Sequence, residues 1–194
     1  MSTAHQPVHR TAHHPNVLVE TDLVSTLSAR RWLAVSRLAV GFIFLWAFVD
    51  KLFGLNYATG ATVDGQQIGE AWITGGSPTT GFLAGATGPA EGFFDWLNPA
   101  FADWLFMIGL AAIGIAVMAG VGLYASAVAG SVMMALMWLA EWPLAQGSNN
   151  PVVDYHVIYA LVLIVCAVVR AGDTWGFGRW WAQTDAVRRW PALR

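Results

Sequence analysis

Charge is scarce in this chain. Only 11% of its 194 residues are Asp, Glu, Lys or Arg, against about 25% in an ordinary soluble domain. Meanwhile 56% are hydrophobic and the mean hydropathy is +0.52. So little charge cannot clothe a soluble surface, and the composition is that of an integral membrane protein. Basic charge is in no excess, with 10 Lys and Arg against 12 Asp and Glu, so there is no electrostatic footprint for nucleic acid. Cysteine occurs once, at Cys166, which excludes an intrachain disulfide, a CxxC redox pair and a thiolate metal cluster. Within its apolar run it reads as a small hydrophobe. No haem ligand pair, flavin fingerprint or iron–sulfur motif is present, because His156 is the only histidine in an apolar span and no GxGxxG opens a helix after a strand.

What the chain has in plenty is apolar sequence. Trp104 to Ala140 runs for 37 residues without Asp, Glu, Lys, Arg or His. As one helix it would be about 55 Å long, well beyond the roughly 30 Å hydrocarbon core of a bilayer. It must reverse, and Gly120-Val121-Gly122 near its middle is where positive φ comes at little cost. Small residues at Ala112, Ala116, Gly120, Ser126 and Gly130 suit close helix packing in this hairpin. With Trp32 to Phe53 before it and a last apolar run after Asn150-Pro151, the reading is an all-α integral membrane fold. The expected architecture is a four-transmembrane-helix bundle with spans at about 32–53, 104–120, 123–142 and 152–169. Asn150 suits the cap of the last span and Pro151 its first turn.

The connections differ in character. The loop 54–102 holds ten glycines and only acidic charges, Asp64, Glu70, Glu91 and Asp95. Its aromatic, Pro-punctuated stretches suit short interfacial helices, and loops of such length are usually functional. Residues 1–31 read as a largely disordered tail with no signal peptide, ending in an interfacial segment at Val17 to Leu27. His5, His9 and His13 have helical spacing for a metal, but Pro7 and Pro15 interrupt that helix and nothing orients the rings, so no metal is assigned. Residues 170–194, with five arginines and four tryptophans, suit a tail lying on an anionic leaflet. Arg37, less than two turns inside the first span, is expected to snorkel to the headgroups. The arginines then gather on one side with Lys51 opposite. The positive-inside rule places both termini in the cytoplasm.

The polar residues near the span ends converge on the other face: Asp50 and Lys51, Asp103, Glu141, then Asp154 and His156. Trp138 and Trp142 flank Glu141, Met133 and Met137 share its helix face, and Tyr155 and Tyr159 flank His156. One pocket at this face is the economical expectation. An imidazole, a carboxylate and tyrosines beside an aromatic cavity can bind a quinone headgroup and exchange its protons. A ring of interfacial polar groups with a purely structural role accounts for the same residues.

Three motifs together resemble the DoxX/DoxD family: Arg37-Leu38-Ala39-Val40-Gly41-Phe42-Ile43-Phe44 leading to Asp50-Lys51-Leu52-Phe53-Gly54, then Ser77-Pro78-Thr79-Thr80-Gly81-Phe82-Leu83, then Asn150-Pro151-Val152-Val153-Asp154-Tyr155-His156. The similarity covers about residues 30–180. It implies a four-helix membrane protein related to the large subunit of thiosulfate:quinone oxidoreductase, which passes electrons from thiosulfate to quinone with a partner small subunit. It further implies catalytic positions at Asp50, Lys51, Asp154 and His156, with His156 and Asp154 handling protons and Lys51 contacting an anion. Trp138, Glu141, Trp142, Tyr155 and Tyr159 are the expected quinone-binding surround. Two other classes fit the same sequence: a non-catalytic scaffold gathering redox or stress-response partners through the arginine-rich tail, and a small-molecule carrier. The small-residue faces of the hairpin can also meet a second copy of the chain.

Overall fold

The computed structural model describes residues 18–63, 66–67, 69–144 and 150–194. The expected tail of residues 1–17, with its histidines, lies outside them. The fold is all-helical apart from a two-residue antiparallel pairing of Thr62–Val63 with Gln66–Gln67. Four helices dominate: α1, Leu27–Phe53; α2, Pro99–Ala119; α3, Leu123–Glu141; and α4, Tyr155–Val168. They contact one another in a ring, α1 with α2, α2 with α3, α3 with α4, and α4 back to α1. Val40, Phe44, Met107, Leu110, Ile113, Val117 and Leu163 meet in its centre.

The first three helices are long and apolar enough to cross a membrane, at 27, 21 and 19 residues, so the chain is a membrane protein. Their outer faces carry exposed large apolar side chains, as lipid contact demands. α4 differs from the span expected at 152–169. It has 14 residues, or about 21 Å, short of the roughly 20 residues a crossing needs. Its start is set by Asp154, whose carboxylate Oδ1 accepts from the backbone N–H groups of His156 and Val157 at 3.0 and 3.3 Å. Asn150, expected as the cap, instead accepts from Val152 and Val153 in a turn just upstream. Its end is set by Arg170, whose φ of 56° leaves the helical region.

The hairpin reverses at Gly120-Val121-Gly122, between Ala119 and Leu123. Gly120 has φ 74° and lies so close to Gly172 that a Cβ would come within 2.7 Å of its Cα. Two backbones thus touch where only glycines fit. Close helix contact falls on Gly41, Gly114 and Gly130 rather than on Ala112, which is exposed.

Arg37 corrects the expectation of snorkelling. It is 0% exposed. Its guanidinium donates to the carbonyls of Val117 and Met118 at 2.5 and 2.6 Å, and to those of Ala171, Trp175 and Thr174 at 3.2, 2.9 and 3.4 Å. The last carbonyls of α2 lack helical partners and carry the negative end of its dipole, so a five-donor fork satisfies them while joining three segments.

The two tails fold over this same end. Residues 170–194 form short helical turns, including Gly178–Trp181 and Asp185–Arg189. Phe177 N–H donates to Ala119 O, and the buried Arg194–Asp173 ion pair is 2.9 Å long. Arg170 and Arg194 both donate to Leu18 O, and the Asp173 carboxylate accepts from Glu20 N–H. Residues 18–31, with an interfacial segment expected at Val17 to Leu27 at the end of the tail, hold a short helix at Glu20–Leu23 and the start of α1. Trp175, Phe177, Trp180 and Trp190 stay exposed, as an interfacial segment requires.

Candidate functional site

The site lies at the opposite end, and its roof is built first. Asp103, in the first turns of α2, is buried, and its Oδ1 accepts from Ser77 Oγ at 2.9 Å, Thr79 N–H at 2.9 Å and Thr79 Oγ1 at 2.6 Å. The Ser77-Pro78-Thr79-Thr80 turn is pinned to α2 by one carboxylate. The turn opens the short helix Thr80–Ala84, which faces Glu91–Trp96 and its buried Phe94. Thr87 N–H donates to Ala140 O at 2.9 Å, tying the roof to α3. Gly88 abuts the Trp142 indole so closely that a Cβ would sit 2.4 Å from Cγ.

Beneath the roof is a cavity of about 720 Å³, bounded by α1, α2, α3, the start of α4 and the roof helices. That is the size of a small-molecule site, usually about 300–1,000 Å³. Its wall is apolar over most of its extent, and its polar groups, Lys51, Thr79, Tyr155, His156 and Tyr159, come from the roof end.

His156 is the most constrained of these. The ring is 1% exposed, with Nδ1 2.8 Å from Asp154 Oδ2. Nε2 is buried and has no hydrogen-bond partner among the described residues. Because the carboxylate accepts from Nδ1–H, the neutral ring carries its lone pair on Nε2. Asp154 therefore performs two tasks, capping α4 and fixing the His156 tautomer.

The Tyr155 ring lies tilted against His156 with centroids 4.0 Å apart and donates its hydroxyl to Glu141 Oε1 at 3.0 Å. Trp138 Nε1–H donates to Val152 O at 3.1 Å, and Trp138 and Trp142 meet edge to face. Ligand atoms of Glu141, Asp154 and His156 lie within 4.8 Å of one another. Those of Asp154 and Glu141 are engaged with His156 Nδ1 and the Tyr155 hydroxyl, so the group stands as two hydrogen-bonded pairs.

The residues singled out in the sequence thus divide. Lys51, Tyr155, His156 and Tyr159 line the cavity. Asp154 and Glu141 stand behind two of them, while Trp138 and Trp142 brace the α4 start and the roof. Asp50 stands apart: its buried carboxylate accepts from the N–H groups of Tyr57, Ala58 and Thr59 at 3.3, 2.9 and 3.0 Å and turns the chain after α1. Asp50, expected among the catalytic positions, is thus placed outside the cavity lining, with both oxygens accepting from backbone. Sequence reasoning missed Thr79 and the apolar wall of Phe106, Leu110 and Met134. The Ser77 to Leu83 motif was the available signal for the roof.

An apolar cavity among the apolar helices, with a His–Asp pair at its polar end, is what the geometry defines. Comparison with protein-family models, with curated proteins and with solved structures finds no match.

Proposed function

We propose that this chain is a quinone-interacting membrane subunit of an oxidoreductase of the DoxX type, a four-helix bundle of the bacterial inner membrane. On this reading α4, together with residues 150–154 and 169–173, completes a fourth crossing and both termini are cytoplasmic. The arginines at the tail end, Arg30, Arg31, Arg179, Arg188 and Arg189 among them, support that orientation.

One observation carries the proposal: an unpartnered, buried His156 Nε2, backed by Asp154, at the polar end of an otherwise apolar cavity. A quinone headgroup has carbonyl oxygens to accept a hydrogen bond and an apolar body to fill the rest. Its reduction takes up two electrons and two protons. The electrons come from a reduced sulfur donor, thiosulfate by resemblance, through a partner subunit, as paired donor anions join by an S–S bond. Protonated His156 donates from Nε2 to one quinone oxygen as charge develops there, and Asp154 holds the imidazolium until transfer. Asp154 keeps Nδ1–H bound after each transfer, so the vacated Nε2 regains its proton from the cavity side, and a second such transfer completes the hydroquinone. Lys51 supplies positive charge at the same end, which favours the anionic intermediate.

The test is extraction of the purified protein for bound quinone, followed by quinone reduction with thiosulfate and with sulfite. We expect bound quinone and a reduction that falls by about a hundredfold or more in His156→Ala. Absence of quinone and of activity in a folded protein moves the reading to the scaffold, which the exposed arginines of the C-terminal segment favour.

A further inference from the structure

We infer that the cavity takes its ligand sideways from the bilayer between α2 and α3, and that this ligand is a lipid whose single apolar chain lies along Gly109 and Met133 with its polar head at His156. The inference rests on the binding site proposed above and adds the class of tail and the route of entry.

Four observations converge. First, polarity is one-sided: Lys51, Thr79, Tyr155, His156 and Tyr159 sit at the roof end, and the remainder of the wall is apolar. A small polar molecule would leave that remainder dry and unfilled, forfeiting the contacts that an apolar chain would make there. Second, the end nearest the loop is roofed, with Asp103 holding the Ser77–Thr80 turn and Ala140 O holding Thr87. Third, the flank is thin. Leu105 on α2 is 60% exposed and Val132 on α3 is 56% exposed, yet both also line the cavity, so a single layer of side chains separates it from lipid. Fourth, α2 and α3 are tied by a three-residue turn at their other ends, and the cavity occupies the space between their halves nearest the roof. There the two helices meet across it through a flexible group, for Met133 Cε lies where a Cβ on Gly109 would stand, 2.4 Å away. An unbranched thioether over a bare glycine can swing aside at little cost. Along α2 the wall runs from Ala102 to Ile113, about 17 Å at 1.5 Å per residue, more than half the hydrocarbon core. A chain held there lies roughly parallel to its neighbours in the bilayer.

The experiment uses the full chain in nanodiscs and three probes: a head-only tetramethylbenzoquinone, a quinone of the same ring type bearing a decyl chain, and a decyl phenol with no quinone carbonyl. Binding is read by quenching of tryptophan fluorescence or by calorimetry, for wild type, Gly109→Leu and Met133→Ala. In wild type the decyl quinone should bind at least about tenfold more tightly than the head alone, since burial of each methylene contributes. Gly109→Leu, which fills the chain path, should remove most of that advantage without weakening the head-only probe. Met133→Ala, which cannot overpack, should keep or raise the advantage. Equal affinity of the two quinones in wild type, or an advantage untouched in a folded Gly109→Leu protein, overturns the inference while leaving the head site intact. Gly109-dependent binding of the decyl phenol, with neither quinone reduced, would uphold the lipid route and remove the oxidoreductase reading.

Discussion

At the scale of single residues, Asp154 carries the sharpest expectation because one carboxylate serves a helix and an imidazole at once. Asp154→Ala removes both services and should cost about 1 kcal/mol of stability through the lost cap. Asp154→Asn keeps an acceptor for the cap but removes the anion that holds the imidazolium and offers an amide N–H to Nδ1, which leaves a neutral ring as a much weaker proton donor at Nε2. That variant should melt close to wild type while quinone turnover falls by about a hundredfold or more. Nitrogen NMR of the imidazole, together with turnover, checks the separation. His156 and Asp154 were legible in the sequence because charged groups inside an apolar run demand a partner or a use. Arg37 was legible only as an anomaly. Its partners are backbone carbonyls at residues 117–118 and 171–175, and no side-chain pattern announces a carbonyl.

Among elements, the helices and their reversal at Gly120 could be read from hydropathy and glycine placement, whereas their ends could not. Asp154 and Asn150 are both good caps, and only tertiary packing of the Tyr155 to Tyr159 turn against α3 decides between them. The folded tails were the larger omission, since arginine and tryptophan suit a lipid surface as well as a protein one. Two outcomes test them. Arg37→Met leaves five carbonyls without their donor and should lower stability by about 3 kcal/mol or more, with Arg37→Lys failing to restore it because an ammonium cannot span three segments. Thermal unfolding in detergent reads both. Glu20, buried beside Asp173, is pushed up by desolvation and by that neighbour, against the Thr174 hydroxyl bond and nearby arginines. Its folded value lies above the ordinary 4.5. Docking of residues 18–23 is therefore strongest below that ordinary value and weakens as pH rises through the raised one. Amide protection factors in this segment, corrected for intrinsic exchange, should fall over that window in wild type and stay level in Glu20→Gln.

For the whole molecule, the separation of charge between the two ends fixes an expected topology. A fluorescent protein fused after Arg194 should fold and emit in a bacterial host, and one inserted in the loop near Gly92 should stay dark, if the arginine-bearing end faces the cytoplasm. The reverse pattern would turn the chamber toward the cytoplasm. A last consequence follows from the brevity of α4. Its lipid-facing side chains, Ile158, Leu161, Val165 and Val168, cover about 21 Å beside three helices that run farther. The remaining depth on that flank falls to residues 150–154 and 169–173, so on the four-span reading the bilayer would thin toward this side by whatever those residues leave unspanned, at a fraction of a kcal/mol per Å of mismatch.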